Sequence, residues 1–254
     1  MKLSMAEEIV FLLHGYNVDR PSGMAGLKNL ASFVERETSG ATVAVLWPGD
    51  SCAGFISYPF EGDDADDTAL ELAQYITDTL PAHIPLSFVT HSLGARVAME
   101  TIDALRATWF DVNQVCLMAP AIDDFSLASS SSYRDAVDAV KRVAVLSSTE
   151  DIVLKIAYPA GELVQNFLFF WREELGFALG YSGPKDSEDG DQSEPVPGHV
   201  IHWPIDPARG SDHGHYVPDF TFGNETNSVE HRNQLSAARY ASQVVGEKEK
   251  PDYG

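Results

Sequence analysis

Thr90-His91-Ser92-Leu93-Gly94 stands between an apolar run, Leu86 to Val89, and an Ala-rich run from Leu93 to Arg106. The first run favours a strand and the second a helix, so the string lies where a strand turns sharply into a helix, with Ser92 at the tip. Small residues at Thr90 and Gly94 suit so crowded a turn, because bulk two positions either side of the tip would strike the neighbouring strand and helix. Thr stands where such turns usually begin with Gly. The plainer reading of Ser92 is an N-cap for the following helix, a role Ser fills well. What separates the two readings lies elsewhere in the chain.

Upstream, Ile9 to Leu13 is a continuous apolar run without alternation, as expected of a strand buried on both faces of a parallel sheet, and it ends in His14-Gly15-Tyr16-Asn17. Helical spacing of Leu27, Leu30, Ala31, Val34 and Thr38 predicts a helix over Gly23 to Glu37, with Gly40 to end it. A strand over Thr42 to Leu46 follows, closed by Trp47-Pro48-Gly49. Ser51 to Gly62 reads as a loop whose Phe55, Tyr58 and Phe60 either line a pocket or cover the core. Asp63 to Asp67 places acidic charge at the start of a helix running to Leu80, where the helix dipole favours it and a solvated face is the sufficient reading.

Downstream, Val115 to Pro120 is a further buried strand whose exit carries Asp123 and Asp124; a Ser-rich loop, 126–132, and a helix over Tyr133 to Val140 follow. Val143 to Leu146 is the next strand, and Asp151 lies a few residues past its end. The aromatic stretch 152–180 is either a small helical cap or a helix filling the outer core. The acidic, Gly- and Pro-rich 181–198 reads as a mobile surface loop. Val200 to Trp203 is a short strand, Asp212-His213-Gly214-His215-Tyr216 lies beyond it, and Asn227 to Val245 reads as a terminal helix before a frayed tail, 246–254.

Alternating strands and helices over 254 residues, with no internal repeat and no place to cut the chain, predict one α/β domain. The net charge of −21 argues against nucleic acid and anionic membranes as partners, since both carry the same sign. Two cysteines, Cys52 and Cys116, make no disulfide framework, and no stretch is apolar enough to span a membrane or serve as a secretory signal, so a cytoplasmic location is expected. His199, His202, Asp206, Asp212, His213 and His215 include suitable zinc ligands, but their spacing fits no zinc pattern, and neither metal nor cofactor is expected. The string sets no oligomeric state.

A Ser hydroxyl needs a base within hydrogen-bond reach, and the base needs a carboxylate to fix its tautomer. Ser92, Asp151 and a His near residue 213 supply these in the chain order Ser, Asp, His. With these residues in view the chain resembles the α/β-hydrolase superfamily, and more narrowly bacterial hydrolases with a His-Gly-Tyr-Asn loop after their first core strand. The resemblance runs from about Ile9 to Tyr216 and is carried by the His14 loop and the Ser92 turn. It implies a mostly parallel central sheet of eight or slightly fewer strands flanked by helices, lacking the first strands of the usual fold.

The resemblance further implies that Ser92 attacks an acyl carbonyl while the backbone N–H groups of Leu93 and Tyr16 hold the oxyanion, with His91, Tyr16 and Asn17 beside the substrate. His14 is then structural in its loop. Asp151 is the implied acid, with Asp123 as runner-up, since some lipases of this fold use that position. His213 is the implied base because Asp-His-x-x-Tyr resembles the catalytic loop of related hydrolases, with His215 as its competitor. The implied activity is cleavage of a small-molecule carboxylic ester through an acyl-enzyme, in the manner of a carboxylesterase or lipase. Acyl transfer on the same residues and a non-catalytic binding module are the alternatives.

Overall fold

The computed structural model describes residues 3–16, 18–48, 61–130, 132–155, 177–189, 192–204, 212–224 and 226–247. Asn17, the loop carrying Cys52, Phe55, Tyr58 and Phe60, most of the stretch read as a cap, Asp206 and the tail from 248 lie outside them. Six strands form one parallel sheet: β1 (Ile9–Leu13), β2 (Ala41–Val45), β3 (Leu86–His91), β4 (Val112–Met118), β5 (Val140–Ser147) and β8 (Val200–Pro204). Their spatial order is β2-β1-β3-β4-β5-β8, parallel throughout. Among the described residues no strand precedes β1.

This order has one reversal. The chain enters at β1, steps outward to the edge strand β2, then reverses past β1 to β3 and continues in that direction through β4 and β5 to β8. Right-handed crossovers in opposite directions place their helices on opposite faces. Accordingly α1 (Arg20–Glu37) packs with the terminal helix, while α2 (Glu61–Thr79) packs with α3 (Gly94–Leu105). The C-terminal ends of β1 and β3 flank the reversal, which is where an open α/β sheet leaves a crevice for a ligand.

β1 is fully buried along its length, and its Phe11 stacks on Phe88 of β3 with ring centroids 5.3 Å apart. β4 starts at Val112, earlier than the apolar run indicates, because its polar residues find partners: Asn113 Nδ2 donates to Glu8, and Gln114 Oε1 accepts from Arg142 Nε. α4 (Arg134–Asp138) is shorter than expected because β5 already begins at Val140. α1 begins at Arg20 rather than Gly23, capped by the Asp19 carboxylate accepting from Ser22 N–H, with Pro21 in its first turn.

The segment 181–198 contains a short hairpin, β6 (Ser187–Asp189) with β7 (Gln192–Glu194), after a single helical turn, α5 (Leu179–Ser182). Asp124 ties that turn to the β4 exit: it accepts from Ser182 Oγ at 2.8 Å and pairs with Lys185 Nζ at 2.6 Å. The acidic start of α2 is more than a solvated face, since Asp66 is gripped by both Nε and Nη2 of Arg96 on α3, at 2.8 and 2.7 Å. The terminal helix α6 (Val229–Val245) is capped by Ser228. Cys116 is a buried free thiol, and burial pushes it well above the usual thiol range.

Candidate active site

Ser92 sits at the C-terminal end of β3 with φ +54, a left-handed conformation uncommon for a side-chain-bearing residue. The surroundings hold it there. Its N–H donates to Met118 O at 3.0 Å, and its carbonyl accepts from Ala95 and Ala121, each at 3.1 Å. The chain then enters α3 directly, with Leu93 at the cap position and no side chain capping the helix. No described residue accepts from the Leu93 N–H. Thr90 is fully buried, and its hydroxyl has no partner among the described residues.

The loop after β1 lies against this turn at a separation only glycine tolerates. A Cβ on Gly15 would stand 2.7 Å from Ser92 Cβ, and one on Gly94 would stand 2.5 Å from His14 O. His14 has a structural place: its Nδ1–H donates to Gly15 O at 2.8 Å and its Nε2 accepts from Trp47 N–H at 3.3 Å. Trp47 also donates its indole N–H to His14 O at 2.9 Å and stacks on the imidazole, clamping the loop a second time. Tyr16 is half-buried on the core beside them.

His213 Nε2 lies 2.8 Å from Ser92 Oγ, and His213 Nδ1 lies 2.8 Å from Asp151 Oδ2. Asp151 is completely buried just past β5, and its second oxygen accepts from Leu154 N–H at 2.9 Å, capping the turn 152–155. Of the two histidines in competition, only His213 reaches Ser92. His215 turns back into its own 3-10 turn, where its Nδ1 accepts from Asp212 N–H at 3.2 Å and completes a capping box. The Asp123 backbone forms an isolated bridge with Ala178, and both nitrogens of His213 are engaged by Ser92 and Asp151.

His91 donates Nε2–H to the His213 carbonyl at 2.9 Å. Loss of hydration, reinforced by the neighbouring His213, pulls it down to about 3. The imidazole is therefore neutral near pH 7. Tyr216 is fully buried against it with ring centroids 6.0 Å apart, and burial together with the Asp151 charge raises its phenol well above the usual value. His199 and His202 are engaged separately: His199 donates to Val137 O, and His202 is hydrogen-bonded to Ser147. Among the described residues no group of three or more metal-ligating side chains is assembled.

Trp47 and Leu154 escaped the sequence reading. Trp47 stood out only as the end of a strand, and nothing local links it to His14; Leu154 contributes a backbone N–H, which carries no residue signature. Asn17 lies outside the described residues.

A parallel sheet with a serine on a strained strand-to-helix turn at its reversal point defines the α/β-hydrolase class. The chain belongs to the family described as alpha/beta hydrolase of unknown function (DUF900), whose model matches residues 1–164. That match includes Ser92 and Asp151 and stops short of His213. The fold is similar to that of the Pyrococcus furiosus esterase Pf2001, at 14% identity and a TM-score of 0.51, over 99% of this chain and 86% of that one. Carboxyl esterase 2 of Tuber melanosporum is also similar, at 11% identity and a TM-score of 0.47, over 97% of this chain and 78% of that one. At 14% identity the likeness to the Pyrococcus esterase shows a shared fold alone. No curated protein sequence matches the chain. Among the described residues no helix is long and apolar enough to cross a membrane.

Proposed function

We propose that the protein is a serine hydrolase that cleaves carboxylic esters through an acyl-enzyme. The observation that carries this reading is the continuous hydrogen-bonded line Ser92 Oγ, His213, Asp151, with 2.8 Å at each step. Ser92 Oγ attacks the acyl carbonyl as His213 Nε2 takes its proton, and Asp151 fixes the imidazole tautomer and stabilises the imidazolium. The Leu93 and Tyr16 N–H groups hold the oxyanion; one such donor is commonly worth roughly 10²-fold in rate. His213 then returns the proton to the leaving alcohol, and water enters to release the acid. Ester cleavage is also the activity named for the Pyrococcus esterase that shares the fold. A buried free Cys116 suits a reducing compartment, and the reading puts the enzyme in the cytoplasm.

The test is reaction with a fluorophosphonate probe beside Ser92→Ala, followed by turnover of p-nitrophenyl esters of increasing acyl length. Labelling that disappears in Ser92→Ala, with turnover of at least one ester, is the expected result. Folded wild-type protein that does not label would overturn the activated serine and leave a non-catalytic ligand-binding relative as the reading.

A further inference from the structure

His91 borders both the nucleophile and the base. It is the chain neighbour of Ser92, its Nε2–H is given to the His213 carbonyl at 2.9 Å, and its ring lies 4.9 Å from that of His213. Its other nitrogen, Nδ1, faces the oxyanion loop, where a Cβ on Gly15 would stand 3.1 Å from it. Its ring also packs on the fully buried Tyr216, which anchors the far end of the His213 turn. A neutral imidazole has one N–H to give. Here that donor is engaged by the backbone of the base and is not offered to a ligand.

We propose that His91 is a positioning residue: its hydrogen bond to the His213 carbonyl fastens the loop carrying the base to the strand that ends in the nucleophile. This rests on the hydrolase reading and adds to it a role outside the Ser92–His213–Asp151 line. The need for such a fastening follows from the chain path. His213 arrives on a segment that leaves the sheet at Pro204, the end of the outermost strand. Asp151 orients the ring through Nδ1, but a hydrogen bond to the ring does not fix the backbone from which the ring hangs. Misplacing a reacting group by about 1 Å can cost on the order of 10²-fold in rate.

The experiment compares His91→Phe and His91→Leu, which remove the donor and differ in bulk, with His91→Gln, whose amide restores an N–H near the position of Nε2. Thermal unfolding establishes that each is folded, and two readouts follow: the rates of fluorophosphonate labelling and ester turnover, and the downfield proton resonance of the His213–Asp151 hydrogen bond. Expected are a loss of about 10-fold or more in labelling rate and kcat for Phe and Leu with KM within about twofold, and recovery in Gln. The downfield proton should broaden in Phe and Leu and remain sharp in Gln. Unchanged kcat in both donor-less variants, a loss confined to KM, or a Gln variant as slow as Phe would overturn the positioning role. If wild type neither labels nor turns over esters while the proton resonance still follows this pattern, the hydrolase reading fails and the positioning role stands. Wild-type labelling with a resonance indifferent to His91 gives the reverse.

Discussion

Gly94→Ala should damage rate more than stability. The added Cβ would stand 2.5 Å from His14 O and 3.3 Å from Leu13 Cβ, against an ordinary contact of at least 3.4 Å, so helix and loop must part by roughly 0.9 Å. The carbonyl is not free to move, because the Trp47 indole N–H holds it at 2.9 Å and the His14 ring is bonded to the Trp47 backbone. Two effects on stability oppose each other. Ala favours a helix over Gly by up to about 1 kcal/mol in the interior and by less at the first helical position, where Gly94 sits. Overpacking a fixed backbone costs about 1–3 kcal/mol. The net expectation is a loss of about 1–2 kcal/mol.

The rate consequence follows from the same displacement. Gly94 follows Leu93, whose N–H is one proposed oxyanion donor, and His14 precedes the loop that bears the other, Tyr16. Driving the two elements apart by roughly 0.9 Å separates the donors by a comparable distance, which for a preorganised hole corresponds to about 10²-fold in kcat/KM. Ester kinetics and urea unfolding measure the two quantities independently. Gly198→Ala, where nothing lies within 4 Å of the added Cβ, is the control and should change neither. A Gly94→Ala enzyme within twofold of wild-type kcat/KM would refute the argument that this close approach sets the hole.

The base assignment predicts that His213→Ala loses ester hydrolysis by at least about 10³-fold, whereas His215→Ala, which removes only an acceptor for Asp212 N–H, stays within a few-fold; equal losses in steady-state assays would contradict it. Thr90→Val replaces a buried hydroxyl that lacks a partner among the described residues with a methyl, and should be neutral or raise stability by about 1 kcal/mol; a lower Tm would show that the hydroxyl has a bond worth keeping. His91 is held down to about 3 when folded against about 6.5 when unfolded, so between those values the unfolded chain binds the extra proton. Its contribution is fully present above pH 6.5 and falls as pH drops toward 3, reaching a loss of about 2 kcal/mol at pH 5. Urea unfolding at pH 7 and pH 5 should therefore show a larger acid loss in wild type than in His91→Gln; equal losses would refute the assignment.

The strands and the turn at Ser92 were legible because their signals are local. Ile9 to Leu13 is apolar without alternation, which only burial on both faces rewards, and Leu86 to Val89 is broken only by the buried Ser87; both are core strands of a parallel sheet. The start of α1 was legible in principle, since Asp19 with Pro21 just behind it is an N-terminal signature that outweighs the first apolar contact at Leu27. Other features had no local signal. The Asp66–Arg96 pair and the Trp47 clamp join residues far apart in the chain, and neither charge nor aromaticity names its partner. The hairpin at 187–194 is built from polar residues with no period-2 apolar pattern. Which of His213 and His215 lies within reach of Ser92 turns on a backbone detail, the capping turn opened by Asp212, which points the His215 ring back at its own loop while the His213 ring lies 2.8 Å from Ser92 Oγ.

For the proposed triad, sheet spacing explains why the acid would follow β5 and why the base would come from a loop. β4 lies between β3 and β5, so the C-terminal ends that carry Ser92 and Asp151 are roughly 10 Å apart at the usual strand separation. Neither side chain closes that gap alone; an imidazole bonded at both nitrogens fills it, with 2.8 Å on each side. The end of β8 is three strands from β3, roughly 14 Å, too far for a residue of the strand itself to reach the serine. Where the His213 ring stands depends on its two contacts, with Asp151 through Nδ1 and with His91 through its carbonyl. The two contacts should fail differently: Asp151→Asn disturbs the tautomer and the imidazolium and so shifts the chemistry of the base, whereas removing the His91 donor leaves the base intact and only loosens where it stands.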